Sequence, residues 1–243
     1  MLVKTKKVMD RALKAVAAMM LMMFFAVGCN KPIEPSHEDD ENVHNGHEYV
    51  NLGLPSGILW ATCNVGADTS EGFGDYLAWG ETAPKDIYDW KSYRYGNFRY
   101  DRYELNKYCT DSCCGLDGFM DELSVLEPGD DAARACWGGD WRIPTIEEWE
   151  ELFQNTTGGW MVQNGVKGWL LTATNGNSLF LPAAGYWWGT DFNADLGLYW
   201  SCSLQTLYPY RAWGFHFNTD SAHLCGSSDR NRGQTVRAVC SRQ

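Results

Sequence analysis

The segment Pro144-Thr145-Ile146-Glu147-Glu148 is the strongest local constraint on what this chain can fold into. Thr145 with Glu148 three residues later is a capping box. The hydroxyl accepts from a first-turn N–H, and the carboxylate reaches back to the N–H of the cap. Ile146, Trp149, Leu152 and Phe153 then recur at helical spacing and define one apolar face. Glu147, Glu148, Glu150 and Glu151 are expected to face water and to offset the N-terminal dipole. A shorter helix is expected over Ala132-Ala133-Arg134-Ala135, capped by Asp130 or Asp131. Beyond these two, long helix-forming runs are scarce. The chain is instead rich in Trp (12), Tyr (12) and Gly (25), a composition that favours sheets and loops.

The strand signals lie on either side of the helices. Glu48–Leu52 and Ile58–Val65 read as a pair around the Pro55-Ser56-Gly57 turn. From Gly66 to about Gly129 no period is sustained, and the segment reads as packed irregular structure anchored by aromatic residues. Trp169–Thr174 and Asn177–Leu181 flank Asn175-Gly176, which supplies the positive φ angles of a type I′ hairpin turn. Leu198–Ser203, Arg211–Asn218 and Thr235–Cys240 are further strands, the last well placed to pair with the first. Along Arg211–Asn218, Trp213, Phe215 and Phe217 share one face, read as buried. Ala212, Gly214, His216 and Asn218 share the other. The fold class expected from these elements is α+β, with two helices, short antiparallel strands and long irregular loops.

Residues 1–28 read as an export signal. Lys4, Lys6, Lys7, Arg11 and Lys14 form a positive start, and Ala15 to Val27 is apolar and uncharged. That run is too short for the roughly 20 residues of a bilayer span. It ends in Ala26-Val27-Gly28-Cys29, which resembles a bacterial lipobox, so Cys29 is the expected lipidation site. The alternative is an ordinary cleaved signal with an incidental cysteine. Residues 29–46, rich in proline, acid and small polar groups, read as a disordered tether. Residues 47–243 read as the folded domain. The net charge of −11, with no basic stripe, excludes a nucleic-acid partner. Apart from Cys29 there are eight cysteines, which leaves on the order of a hundred connectivities open. Cys109, Cys113 and Cys114 are close enough for a local bridge. No paired Cys/His groups at zinc spacing are present, and no metal ligand set is assigned.

Trp141-Arg142-Ile143-Pro144-Thr145-Ile146-Glu147-Glu148-Trp149 resembles the W-R-x-P-T-x-x-E-W signature of a large C-type-lectin-like group. That group includes the formylglycine-generating sulfatase modifiers, the Fibrobacter succinogenes major paralogous domain and the variable proteins of diversity-generating retroelements. Tyr49–Gly57, Leu59–Gly66, Leu77–Thr82, Leu181–Tyr186 and Val236-Arg237 are similar to the paralogous-domain branch, in order and across nearly the whole domain. The resemblance implies a C-type-lectin-like fold and a lipoprotein of Bacteroidetes. There an acidic stretch after the lipid cysteine resembles a surface-export signal, which points to the outer membrane and probable surface display as the expectation. It also admits an alternative, a modifier-like oxidoreductase working through copper-bound thiolates. The region of the modifiers' R-G-G-S-W-type stretch reads Tyr199-Trp200-Ser201-Cys202-Ser203 here, without the Gly-Gly. The spacing of Cys202, Cys225 and Cys240 does not match the modifier pair. No Ser/His/Asp order or phosphate loop is present, so binding rather than catalysis is expected.

The expected ligand-binding residues fall between Thr206 and Gly233: Tyr208, Tyr210, Arg211, Gly214, His216, Asn218, Asp220, His223, Leu224, Asp229 and Asn231. The segment contains no Lys, Glu, Gln or Met. That composition suits diversification of Asn-type codons by a retroelement, and equally suits ordinary turn chemistry. Tyrosines with polar tips on a rigid frame offer contact area at low entropy cost, as paratopes do. An external protein or glycan is the expected partner, with the membrane met only through the lipid. No Glu-Pro-Asn or Trp-Asn-Asp triplet is present, so no cofactor is assigned. Asp130 and Asp131 leave room for a structural calcium. If Cys29 carries the lipid, Cys29→Ala should move the protein from the membrane to the soluble fraction on fractionation. Retention in the membrane would sink the assignment.

Overall fold

The computed structural model describes residues 42–241. Cys29, the signal segment and most of the tether lie outside the described residues. In chain order the elements are β1 (Val43–His44), β2 (His47–Val50), β3 (Leu59–Asn64), β4 (Gly96–Arg99), β5 (Arg102–Leu105), α1 (Ala132–Trp137), α2 (Ile146–Gln154), β6 (Thr156–Gln163), β7 (Val166–Ala173), β8 (Ser178–Pro182), β9 (Tyr186–Trp188), β10 (Asp191–Asn193), β11 (Gly197–Leu204), β12 (Arg211–Phe217), β13 (Ala222–Asp229) and β14 (Arg237–Cys240). Strand accounts for 41% and helix for 9%. The expected α+β, C-type-lectin-like class of two helices with short strands is therefore corrected to a β-rich fold of mostly antiparallel sheets. Two stretches carry the difference. Residues 96–105, read as irregular, form a hairpin, and β6 spans eight residues where Gly158-Gly159 had hidden a strand.

The sheets have the orders β1-β2-β3-β14, β6-β7-β8 and β11-β12-β13, with two-stranded ribbons β4-β5 and β9-β10. Turn chemistry sets their registers. Asn45-Gly46, Tyr100-Asp101 and Asn164-Gly165 each join directly paired strands with both central residues at positive φ, as a type I′ turn requires. The expected type I′ turn at Asn175-Gly176 is different. Only Gly176 is at positive φ there. The Gly176 N–H donates to the Ala173 carbonyl, and the Ala173 N–H donates to the Asn177 carbonyl, which gives a three-residue loop. The last strand, β14, pairs with β3 rather than with β2, opposing Arg237 to Asn64 and Val239 to Trp60.

The capping box forms as expected. The Thr145 hydroxyl accepts from the Glu148 N–H at 3.2 Å, and Glu148 accepts from the Thr145 N–H at 2.9 Å. Two of the acids expected to face water have protein partners instead. Glu148 also takes both ends of the Arg142 guanidinium at 2.7 and 2.5 Å, and Glu151 accepts from the Ser56 N–H and hydroxyl. Ile146, Trp149 and Leu152 are buried, with Phe153 packed at the margin.

Strand β11 is buried along its whole length because the core covers both of its faces. Trp200, Cys202 and Leu204 join a cluster with Trp79, Trp141 and Val236, while Tyr199 joins Trp60, Trp149, Phe215 and Phe217 on the other side. Three indole N–H groups in this core are matched to carbonyls, Trp79 to Ser201, Trp200 to Leu77 and Trp149 to Trp200, while those of Trp60 and Trp169 have no partner among the described residues. Among the described residues no helix is long and apolar enough to cross a membrane.

Asp131 caps α1, accepting from the Arg134 N–H at 3.1 Å and also from the Ile143 N–H at 2.9 Å. Asp130 has a different set of donors. Tyr95 and Tyr108 donate their hydroxyls to it at 2.6 and 2.5 Å, and the Lys107 ammonium sits 2.6 Å away. At the carboxylate considered for calcium, the cation is thus a lysine. Burial pushes the Asp130 carboxyl up, but the bonds from Lys107, Tyr108 and Tyr95 outweigh it and hold the group below its ordinary value of 3.8. A depressed carboxylate stabilises the fold above its unfolded value and loses that contribution as pH falls through its folded one. Asp130→Asn should therefore lower the melting temperature at pH 7, with the gap to the parent protein closing as the pH falls below the ordinary carboxylate value of 3.8 and through the lowered folded one. A gap that stays constant across this range would refute the ionised network.

Candidate ligand-binding surface

The expected ligand residues divide by burial. Tyr208 is 51% exposed and Asp220 is exposed, while Tyr210, Arg211, His216, Asn218 and Asp229 are half-buried. Gly214 and Asn231 do not face outward. Gly214 is buried, and a Cβ there would collide with the Tyr199 carbonyl. Asn231 is 2% exposed and donates to the Tyr88 carbonyl at 3.1 Å. The physical reason for Gly214 is that both faces of β12 are covered. Ala212 enters one core cluster and Phe215 and Phe217 the other, with a break in register between Gly214 and His216. The backbone of His223 and Leu224 belongs to β13, and their side chains lie outside the described residues.

What gathers around the exposed members is largely new to the sequence reading. Tyr210 stacks on Tyr103 of the β4-β5 hairpin, with centroids 4.0 Å apart and planes 7° from parallel. Tyr208 tilts against Tyr210 at 6.0 Å, and Phe98 and Trp90 pack against Tyr103 at 5.0 and 5.2 Å. Burial raises the Tyr103 phenol to about 12, with further upward push from Asp229 and Tyr210 partly offset by Arg211. Asp229 and Arg211 thus lie near this stack. From Asp229 the surface continues through Arg232, whose guanidinium lies over the rings of Trp188 and Tyr186 at 5.2 and 5.4 Å. Trp188 is 57% exposed at the end of β9. The result is an aromatic band interrupted by one acid and two arginines, drawn from β4-β5, β9, β12 and the end of β13.

Arg230 holds the band together from beneath. It is completely buried, and its donors reach the Tyr93 hydroxyl at 2.9 Å and the carbonyls of Tyr108, Pro209 and Lys107 at 2.9, 2.7 and 3.0 Å. The rings of Trp79, Tyr93 and Tyr108 surround its charge at 5.1 to 5.9 Å. One side chain therefore ties the Tyr208–Tyr210 loop to both flanks of the hairpin that carries Tyr103.

Tyr103 and Phe98 were hidden because their turn, Tyr100-Asp101, carries no glycine or asparagine. Trp188, Arg230 and Arg232 lie at strand ends that no periodicity marks. The only available signal was the density of tyrosine between residues 93 and 108.

The thiols offer a contrasting chemistry. Cys63, Cys109, Cys113, Cys114, Cys136, Cys202 and Cys240 are free, and burial pushes Cys114 up to about 11 and Cys202 and Cys240 up to about 12. Such groups are protonated at neutral pH, whereas nucleophilic or metal-bound sulfur is thiolate. Comparison with family models, with curated proteins and with solved structures yields no match.

If Arg230 is the clamp described, Arg230→Lys keeps the charge but leaves several buried carbonyls without donors. The unfolding free energy should fall by about 3 kcal/mol or more. An unchanged denaturant midpoint would show that the cage contributes nothing.

Proposed function

We propose that this chain is an exported lipoprotein, anchored through Cys29 to the outer membrane and displayed at the cell surface, whose folded domain binds an external protein or glycan through the aromatic band around Tyr103, Tyr208, Tyr210 and Trp188. The observation that carries this reading is the face-to-face stack of Tyr103 on Tyr210 beside half-exposed Tyr208 and Trp188. Exposed aromatic groups gathered in one place cost solvation and give nothing to the core, so they mark a contact surface. Tyr103, Tyr208 and Tyr210 are held by neighbouring rings, Trp188 lies under Arg232, and Arg230 fixes the backbone at Pro209, so these side chains lose little entropy on binding. The lipobox-like Ala26-Val27-Gly28-Cys29 and the motifs shared with the paralogous-domain branch support export and anchoring.

Variation between Thr206 and Gly233 of the kind a retroelement produces suits the fold unevenly. Tyr208 and Asp220 are open to it, whereas the Asn218 side-chain oxygen accepts from the Asp220 and Ser221 N–H groups in the turn. Gly214, Arg230 and Asn231 are held by packing or buried hydrogen bonds, and at Gly226 a Cβ would collide with the His216 ring. A diversified surface on this scaffold keeps those four positions along with the core residues Ala212, Phe215 and Phe217, and changes exposed ones.

Detergent-solubilised full-length protein screened against immobilised glycans and host surface proteins should give at least one saturable binder. Tyr208→Ala and Trp188→Ala should each weaken it by about tenfold or more, with an unchanged melting temperature. Binding that survives both substitutions together would remove the surface from consideration.

A further inference from the structure

Between the tyrosine stack and Trp188, three charged side chains meet without hydrogen-bonding one another. Arg211 Nε lies 3.7 Å from one oxygen of Asp229, and Arg232 Nη2 lies 3.8 Å from the other. Both separations exceed hydrogen-bond range. Ion pairs elsewhere in the fold do close, as Lys167 and Asp195 do at 2.8 Å. Arg211 gives one N–H, from Nη2 to the Ser227 carbonyl. The Nε atoms of both arginines are enclosed and have no hydrogen-bond partner among the described residues, and Arg232 is held by the rings beneath it. The cluster carries one net positive charge in a chain of net charge −11. Folding alone does not call for this arrangement. The Nη groups of half-buried Arg232 and the Nη1 of Arg211 make no hydrogen bond among the described residues, and the carboxylate between the two side chains is one that neither quite reaches.

Resting on the ligand-binding reading above, we infer that the band takes a sugar bearing a carboxylate, a uronate or a sialate. The ligand carboxylate lies across the Arg211 and Arg232 guanidinium groups, whose forked donors match its two oxygens. Asp229 accepts from the ring hydroxyls, and Trp188 and Tyr208 take the apolar faces of the sugar rings. Each alternative leaves part of the cluster unexplained. A neutral sugar uses the aromatic faces and Asp229 but leaves the arginine donors unpaired. An acidic peptide satisfies the arginines but brings no hydroxyls to Asp229 and sets its own negative charge against it.

The test measures binding of full-length detergent-solubilised protein to sialyllactose, to tri-galacturonate, to lactose and to poly-glutamate, with Arg232→Gln and Tyr208→Ala alongside. Arg232 is the variant of choice because its side chain makes no hydrogen bond among the described residues. At least one acidic sugar should bind about tenfold tighter than lactose, and Arg232→Gln should collapse that ratio at unchanged melting temperature. Rising salt should weaken the acidic sugar more than lactose. Which of the two acidic sugars responds identifies the source. Equal affinity for sialyllactose, tri-galacturonate and lactose overturns the inference, as does a ratio that survives Arg232→Gln, or poly-glutamate binding as tightly as the sugars. Failure of charge selectivity with Tyr208→Ala still harmful would remove this inference alone. Indifference to Tyr208→Ala and Trp188→Ala together removes the ligand surface itself.

Discussion

The guanidinium of Arg230 is the contact on which the presented surface depends. A buried cation normally needs an anion, because desolvation costs more than neutral groups return. Arg230 is stabilised instead by three carbonyls, a phenol hydroxyl and three aromatic faces. Those acceptors belong to segments far apart in sequence: Tyr93 before β4, Lys107 and Tyr108 after β5, and Pro209 in the β11–β12 loop. Each of these is a short piece with too few ladder bonds to order itself. A planar group with five donors can satisfy several such pieces at once, which a lysine ammonium cannot. The neighbouring Asp130 network repeats the arrangement with the charges reversed, since Tyr95, Tyr108 and Lys107 converge on one carboxylate. Tyr108 serves both, giving its carbonyl and ring to Arg230 and its hydroxyl to Asp130. The hairpin that presents Tyr103 is thus fixed at its base by two buried charges.

What the sequence made legible follows from where its information is local. The capping box at Thr145, the short helix started by Asp131 and the strands β3, β7, β8, β11 and β12 are each encoded within a few residues, and each formed. Asn-Gly was the right signal read at the wrong place. It marks type I′ turns at Asn45-Gly46 and Asn164-Gly165, while Asn175-Gly176 closes a looser loop. Tyr100-Asp101 makes the same turn without a glycine or asparagine and with a bulky tyrosine at positive φ, so nothing local announced β4 and β5. The fold-class error has the same origin. A hairpin held by Arg230 and Asp130 is specified by side chains distant in sequence, and a single chain read by periodicity sees only irregular aromatics there.

The segment from Thr206 to Gly233 shows how misleading an arbitrary-looking mixture can be. Its polar residues were read as a freely presented face opposite Trp213, Phe215 and Phe217. In the folded chain the next strand and the core cover that second face too, so Gly214 is demanded by the Tyr199 backbone and Asn231 by the Tyr88 carbonyl. Residues that hold the scaffold and residues open to a ligand therefore alternate along one stretch, and Arg230 stands directly between Asp229 and Asn231. The presented set is defined by depth rather than by composition.

Depth also separates the two kinds of arginine. Arg230 and Arg237 are fully buried; Arg230 gives its donors to carbonyls and a phenol oxygen, and Arg237 gives Nε and Nη1 to Asn64, Ala61 and Thr62 while its Nη2 has no partner among the described residues. Arg211 and Arg232, at the surface, are held by rings and by a carboxylate just out of hydrogen-bonding reach. Global charge and local charge point in opposite directions here. A chain of net charge −11 repels anions at long range, but beyond a Debye length of about 8 Å that repulsion is screened. Within contact range the two guanidinium groups dominate, and aromatic walls lower the dielectric around them. The anion selectivity proposed for this surface is therefore a short-range property, set by the arginine donors that the fold does not use.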